Sequence, residues 1–300
     1  MARWDKSDGQ SGNAPAWFWK AVETESEKRK VEVEGCDVAY QLWDGATTKP
    51  PLLLIHGMNA HSRWWDFIAP QLLDEYRIAA MDLTGMGDSD YRYEYNSETF
   101  AQEIVAVLDD AGFGNEAFVV AHSFGGNMAV KAANLHPGKF AGLVLIDSGI
   151  RHPDEPPPDR PMMMGGGRAK LYPDQQTGLQ RFRLQPPQTC ENTYILEYIA
   201  RQSLMAEDGG WAWKFDPELP DNMKRTDRNA EDYTGLTLPF GVIYGALSEL
   251  FNPRNVEYMR ELIGKDFPAV AIADAQHHVF LDQPLEFVRV LREMLHLLRE

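Results

Sequence analysis

The stretch Val119-Val120-Ala121-His122-Ser123-Phe124-Gly125-Gly126 decides the fold of this 300-residue chain. Ala117 to Ala121 is a short apolar run, the composition of a strand buried on both faces. A segment rich in Ala and Met follows to about Leu135 and reads as a helix. Ser123 therefore stands where a buried strand turns directly into a helix. Such a turn needs small residues two places before and after the serine, because larger side chains would meet adjacent backbone. Ala121 and Gly125 hold those places. The turn would expose the Ser123 hydroxyl at the carboxyl edge of a sheet, with the free N–H groups of the helix N-terminus aimed at the same point.

Strands and helices alternate outward from this turn. Lys30 to Trp43 reads as two strands joined at Glu34-Gly35. Leu52–Ile55, Tyr76–Met81 and Phe140–Ile146 are short apolar strands, and Ser97–Ala111 has helical spacing at Phe100, Ile104, Val107 and Leu108. The alternation stops over residues 151–235, which carry Pro153, Pro156, Pro157, Pro158 and Pro161, the run Met162-Met163-Met164 and three successive glycines. It resumes with a strand at Leu238–Tyr244, a helix at Asn255–Ile263, a strand at Phe267–Ala273 and a last helix at Leu285–Leu298. The pattern predicts a mostly parallel sheet flanked by helices. The core would comprise residues 1–150 and 236–300, with 1–15 frayed, and 151–235 would be an inserted subdomain.

Composition narrows the function classes. Hydrophobic residues make up 44% of the chain, enough for a large core, and the formal net charge is −16. That charge argues against nucleic acid and anionic membranes as partners. No run approaches the ~18 apolar residues of a membrane span, and the N-terminus lacks the pattern of a signal peptide. Cys36 and Cys190 have no zinc-site spacing and read as free thiols, which suits a cytoplasmic protein. Neither a metal nor a cofactor is expected, and the oligomeric state is left open between monomer and homodimer.

A serine nucleophile needs donors for the oxyanion it creates and a base for its proton. The N–H of Phe124 is one expected donor. The second is the N–H of Met58 in the loop His56-Gly57-Met58-Asn59, which follows the apolar strand Leu52–Ile55. For the base, His277 and His278 compete in the loop after the last strand.

Taken together, His56-Gly57, the glycine loop Asp82–Ser89, the Ala121–Gly125 turn and the His277–Pro284 segment resemble the α/β-hydrolase superfamily. The resemblance covers about residues 30–150 and 236–300. It implies an eight-stranded, mostly parallel sheet with a helical lid inserted after the sixth strand, at residues 151–235. It favours His277 as base through its spacing to Pro284, and it assigns no chemistry to the Asp82–Ser89 loop. Ala121 departs from the usual glycine. In the loop after Phe240–Tyr244, where the superfamily carries its acid, this chain has Ser248 in place of aspartate, and Glu249 next to it becomes the expected acid. Asp147, at the end of the preceding strand, is the alternative. Trp64, Trp211 and Trp213, with Phe182, are expected to wall an apolar substrate pocket, and Met162–Met164 to serve as a gate or seam.

These residues point to a hydrolase that cleaves a small or medium apolar ester or lactone through an acyl-serine, a small molecule being its partner. A carbon–carbon hydrolase, an amidase or a lyase could use the same triad, and a non-catalytic ligand-binding protein could keep the fold.

Overall fold

The computed structural model describes residues 14–43, 48–155, 170–224 and 230–300. Its strands are β1 (Glu27–Val33), β2 (Cys36–Trp43), β3 (Pro51–Ile55), β4 (Arg77–Met81), β5 (Phe118–His122), β6 (Gly142–Ile146), β7 (Leu204–Glu207), β8 (Gly210–Trp213), β9 (Phe240–Gly245) and β10 (Ala269–Ile272). Eight of them form one sheet in the order β1-β2-β4-β3-β5-β6-β9-β10. The β1–β2 and β2–β4 pairings are antiparallel, and the other five are parallel. The expected eight-stranded, mostly parallel sheet is thus present.

The helices are α1 (Ala16–Val22), α2 (Ser97–Asp110), α3 (Phe124–Leu135), α4 (Gln175–Leu179), α5 (Thr193–Gln202), α6 (Leu219–Asn222), α7 (Ala230–Thr234), α8 (Pro253–Ile263), α9 (Val279–Asp282) and α10 (Pro284–Leu297). Alternate residues of the central strands face opposite ways, so an apolar run serves two cores. Leu53, Ile55, Val119 and Ala121 join the core that takes Phe100, Met128 and Met259 from α2, α3 and α8. Leu52, Leu54, Val120 and Val144 join the core that takes Phe18, Phe287 and Leu291 from α1 and α10. Phe18 is wholly buried, so the aromatic cluster near the N-terminus packs against the body.

Between β6 and β9 lie α4, α5, the antiparallel β7–β8 hairpin, α6 and α7. The segment was expected to be helical, and the hairpin is a difference. Glu207 pairs with Gly210, leaving Asp208-Gly209 as a two-residue turn, with Gly209 at φ 93°. An Asp-Gly pair supplies the positive φ that such a turn needs and is the local signal for it. The expected Met162–Met164 seam lies outside the described residues.

The glycine loop after β4 is closed from within. Asp82 accepts the N–H of Asp88 at 2.8 Å, and a Cβ on Gly87 would stand 2.3 Å from the Asp82 carboxyl carbon. Beneath the loop, wholly buried Glu103 accepts from the Thr84 N–H at 3.0 Å and pairs with Arg92 at 3.1 Å. These contacts hold the loop in shape. No helix among the described residues is long and apolar enough to cross a membrane.

Arg92→Leu would leave the Glu103 carboxylate buried without its cation. It is expected to cost about 3–5 kcal/mol in urea denaturation. Arg29→Leu, which removes an exposed pair with Glu27, should cost no more than about 1 kcal/mol. Equal effects from the two substitutions would contradict this account of the loop.

Candidate active site

The carboxyl ends of neighbouring parallel strands bring the chemistry together, as open α/β sheets do in general. His56-Gly57 leaves β3, Ser123 leaves β5, Asp147 leaves β6 and Gly245 closes β9. Ser123 sits at φ 51° and ψ −115°, a left-handed conformation that is costly for any residue but glycine. Three contacts hold it there. Its N–H donates to the Ile146 carbonyl at 3.0 Å, its carbonyl accepts from the Ser148 hydroxyl at 2.8 Å, and the N–H of Gly126 donates to that same carbonyl at 3.0 Å. The helix after it is pressed against its neighbours. A Cβ on Gly125 would stand 2.3 Å from the His56 carbonyl oxygen, and one on Gly126 would stand 2.4 Å from the Ser148 hydroxyl. Ala121, the departure two places earlier, is buried in the strand with its methyl accommodated.

His277 bridges the serine to a carboxylate. Its Nδ1 lies 2.7 Å from Asp147 Oδ1 and its Nε2 lies 3.0 Å from Ser123 Oγ. A carboxylate can only accept from a neutral imidazole. The proton is therefore on Nδ1, and the Nε2 lone pair faces the hydroxyl. Asp147 is itself oriented: Oδ2 accepts the Gly245 N–H at 3.0 Å, and Oδ1 accepts the Ser248 hydroxyl at 2.7 Å. The structure does not bring Glu249 into this group. Glu249 is exposed on the loop after β9, while Asp147 occupies the place beside His277. Of the two carboxylates expected for this place, the structure therefore sets the alternative, Asp147, and not Glu249, beside His277. The ends of β6 and β9 lie side by side, so either loop could reach the ring, but the Gly245 N–H and the Ser248 hydroxyl hold Asp147 there while Glu249 faces solvent. Ser248, standing where aspartate was expected, hydrogen-bonds to the acid that replaces it.

The histidine loop is held from several sides. A Cβ on Gly245 would meet the carbonyls of Gln276 and Ala275 at 2.2 and 2.4 Å, so only glycine lets this loop cross the end of β9. His122 Nε2 donates to the His277 carbonyl at 3.1 Å. From the inserted segment, Gln188 Oε1 accepts the His278 N–H at 2.9 Å, and Asn192 Nδ2 donates to the Leu281 carbonyl at 2.8 Å. His278 is buried, 5.5 Å ring to ring from Trp64, and makes no hydrogen bond to Ser123.

Gly57 lies against Ser123: a Cβ there would be 2.8 Å from His122 Nδ1 and 3.4 Å from Ser123 Cβ. The His56–Asn59 loop, with Met58, therefore stands beside Ser123. His56 orients it, donating from Nδ1 to the Gly57 carbonyl at 2.7 Å and accepting the Leu83 N–H on Nε2 at 3.1 Å. Phe124, at the first position of α3, has an N–H with no partner inside the helix. A cavity at the serine is lined by His277, Ser148, Asn127, Arg151, Leu250 and Phe251. Trp64, Trp211 and Trp213 do not line it. Trp64 is taken up by ring contacts with His61, His278 and Phe280. Trp213 packs on Tyr172 and Phe182, and Trp211 pairs through its backbone with Tyr172. Sequence reasoning missed Ser148, Asn127 and Arg151, which carry no local motif, and the supporting role of His122, which lies inside the Val119–Gly126 stretch but whose partner is distant. Ser148 and Arg151 do follow Asp147 closely, so their nearness to it was the available clue.

The family model described as the alpha/beta hydrolase family matches residues 52–290. The pimeloyl-[acyl-carrier protein] methyl ester esterase of Aeromonas hydrophila is 25% identical, the match covering 81% of this chain and 94% of that protein. The enzyme of the same name from Yersinia enterocolitica is 26% identical, over 80% and 91%. Among solved structures, E-2-(acetamidomethylene)succinate hydrolase superposes with a TM-score of 0.72 at 20% identity, covering 91% of this chain and 100% of that one. The thioesterase domain of the curacin biosynthetic pathway does so at 0.71 and 21%, covering 89% and 99%. At these identities the solved structures speak for the fold.

Burial holds four histidines neutral. His56 is lowered to about 4, and His61, His122 and His278 lie well below the ordinary value of 6.5. In the unfolded chain each takes up a proton near pH 6.5, and in the folded chain it does not. Stability is therefore full above pH 6.5 and falls as the pH drops toward 4, by about 1.4 kcal/mol per pH unit for each such group. Asp82, raised to about 6 by burial, binds its proton first in the folded state and offsets one of the four. The urea midpoint is expected to drop between pH 7.5 and pH 5.5. A constant midpoint would mean that these rings are charged or solvated when folded.

Proposed function

Because the chain belongs to the alpha/beta hydrolase family, we propose that it is a serine hydrolase that cleaves a small or medium carboxylic ester or lactone through an acyl-Ser123 intermediate. The observation that carries this reading is the continuous relay from Ser123 Oγ through His277 to Asp147, at 3.0 and 2.7 Å. His277 Nε2 takes the hydroxyl proton as Ser123 Oγ attacks the ester carbonyl. The negative oxygen that forms is received by the N–H groups of Met58 and Phe124. Each such donor contributes about 2.7–4 kcal/mol toward the transition state in acyl-transfer sites of this kind. The imidazolium, stabilised by the Asp147 carboxylate, then returns its proton to the departing alcohol oxygen. Water attacks the acyl-serine by the same route, with His277 again as base, and the free acid leaves.

The relatives named as methyl ester esterases support ester cleavage as the reaction class. Leu250 and Phe251 give the cavity an apolar side for the acyl or alcohol group, with Arg151, Asn127 and Ser148 opposite in character. Residues 151–235 serve as the lid in this reading. Gln188 and Asn192 bind the His277 loop, and the Lys214 carbonyl accepts the Gly87 N–H at 2.8 Å, so the segment is tied to both sides of the sheet's carboxyl edge.

Labelling with a fluorophosphonate probe, together with hydrolysis of a p-nitrophenyl ester panel, tests the proposal. Wild-type protein should be labelled at Ser123 and release p-nitrophenol, while Ser123→Ala and His277→Ala do neither and keep the fold. Asp147→Asn is expected to lower kcat by roughly 10⁴-fold through the wrong imidazole tautomer, and Glu249→Gln to leave it unchanged. A folded wild-type chain that no probe labels would defeat the proposal.

A further inference from the structure

His122, His277 and His278 form a triangle of buried imidazoles. Their ring centres are 4.7 Å apart for His122 and His277, 5.3 Å for His122 and His278, and 4.9 Å for His277 and His278. One ring nitrogen from each lies within 4.8 Å of the other two. All three rings are at least 95% buried. His122 Nδ1 has no hydrogen-bond partner, and neither nitrogen of His278 makes a well-formed bond, although the Gln185 backbone lies within reach of its ring. Leaving such groups unpartnered costs about 1–3 kcal/mol each. The arrangement therefore needs more explanation than packing provides.

We propose that these three histidines bind a transition-metal cation of the zinc class and that its binding switches the hydrolase off. Imidazole nitrogen is a favoured ligand for such ions. Two of the rings already carry the outer contacts of metal-bound histidines, which donate their second N–H to a carboxylate or a backbone carbonyl. His277 donates from Nδ1 to Asp147, and His122 donates from Nε2 to the His277 carbonyl. Burial keeps His122 and His278 unprotonated, the form that ligates, down through neutral pH. Nitrogens sharing one tetrahedral zinc stand roughly 3.4 Å apart, so small ring rotations close the triangle. The ion enters where His277 meets the cavity at Ser123. It takes the Nε2 lone pair of His277, so the Ser123 proton has no acceptor. Only this inhibitory half rests on the proposed function.

Equilibrium dialysis of Ser123→Ala against zinc chloride reads the site in a chain that cannot turn over. One zinc per chain is expected, with at least ~10-fold weaker binding when His278→Phe is added. His278→Asn serves if circular dichroism shows the phenylalanine variant unfolded. In the wild type, zinc should block fluorophosphonate labelling of Ser123, EDTA should restore it, and His278→Phe should label despite zinc. No bound zinc, or binding unchanged by both His278 variants, overturns the metal site. Zinc that binds without slowing the labelling overturns the switch. A wild type that is never labelled, with zinc still bound, would instead defeat the proposed function and leave the metal site standing.

Discussion

The N-terminus of α3 is driven against the end of β3 so closely that a Cβ at Gly125 would stand 2.3 Å from the His56 carbonyl. The rest of the site depends on that contact. It forces Ser123 into a left-handed turn that an extended or helical residue would not adopt, and the strain is offset by bonds to Ile146, Ser148 and Gly126. It also sets the first N–H of the helix and the His56–Asn59 loop on the same side of the serine. A residue larger than glycine at position 125 would push the helix outward and separate these groups together.

The carboxylate beside His277 shows how a sheet can bring a group to one point from either of two neighbouring strands. Adjacent strands lie about 4.8 Å apart, so the loops after β6 and β9 approach the histidine from neighbouring places. A carboxylate on either can meet Nδ1. Here it comes from β6, at a residue with φ 44°, and the loop after β9 supplies Ser248 and the Gly245 N–H as donors to it. One loop thus supplies the carboxylate and the other the donors that orient it.

Histidine is used on this edge mainly as a neutral building block. His56 shapes the loop beside Ser123 and His122 ties β5 to the His277 loop. His61 reaches Ser203 at 2.8 Å, joining the core to the inserted segment. An imidazole suits these tasks because it both donates and accepts while uncharged. The consequence is acid sensitivity, since every such ring gains a proton on unfolding.

What the sequence alone determined is what depends on local sterics and periodicity. The apolar runs of β3, β5 and β6, the small residues around Ser123 and the two histidines near Pro284 were all readable, because each constraint acts within a few residues. The β7–β8 hairpin was equally local, in Asp208-Gly209, and was overlooked. The choice of Asp147 over Glu249 was different in kind. Both are carboxylates in loops after neighbouring strands, and only the packing that buries Asp147 and leaves Glu249 in solvent says which one meets a ring 130 residues away in the chain. The same holds for the tryptophans, whose neighbours are decided by packing, and for His122, whose partner lies 155 residues distant. Local sterics placed Ser123 at its turn, and the sheet chose its company.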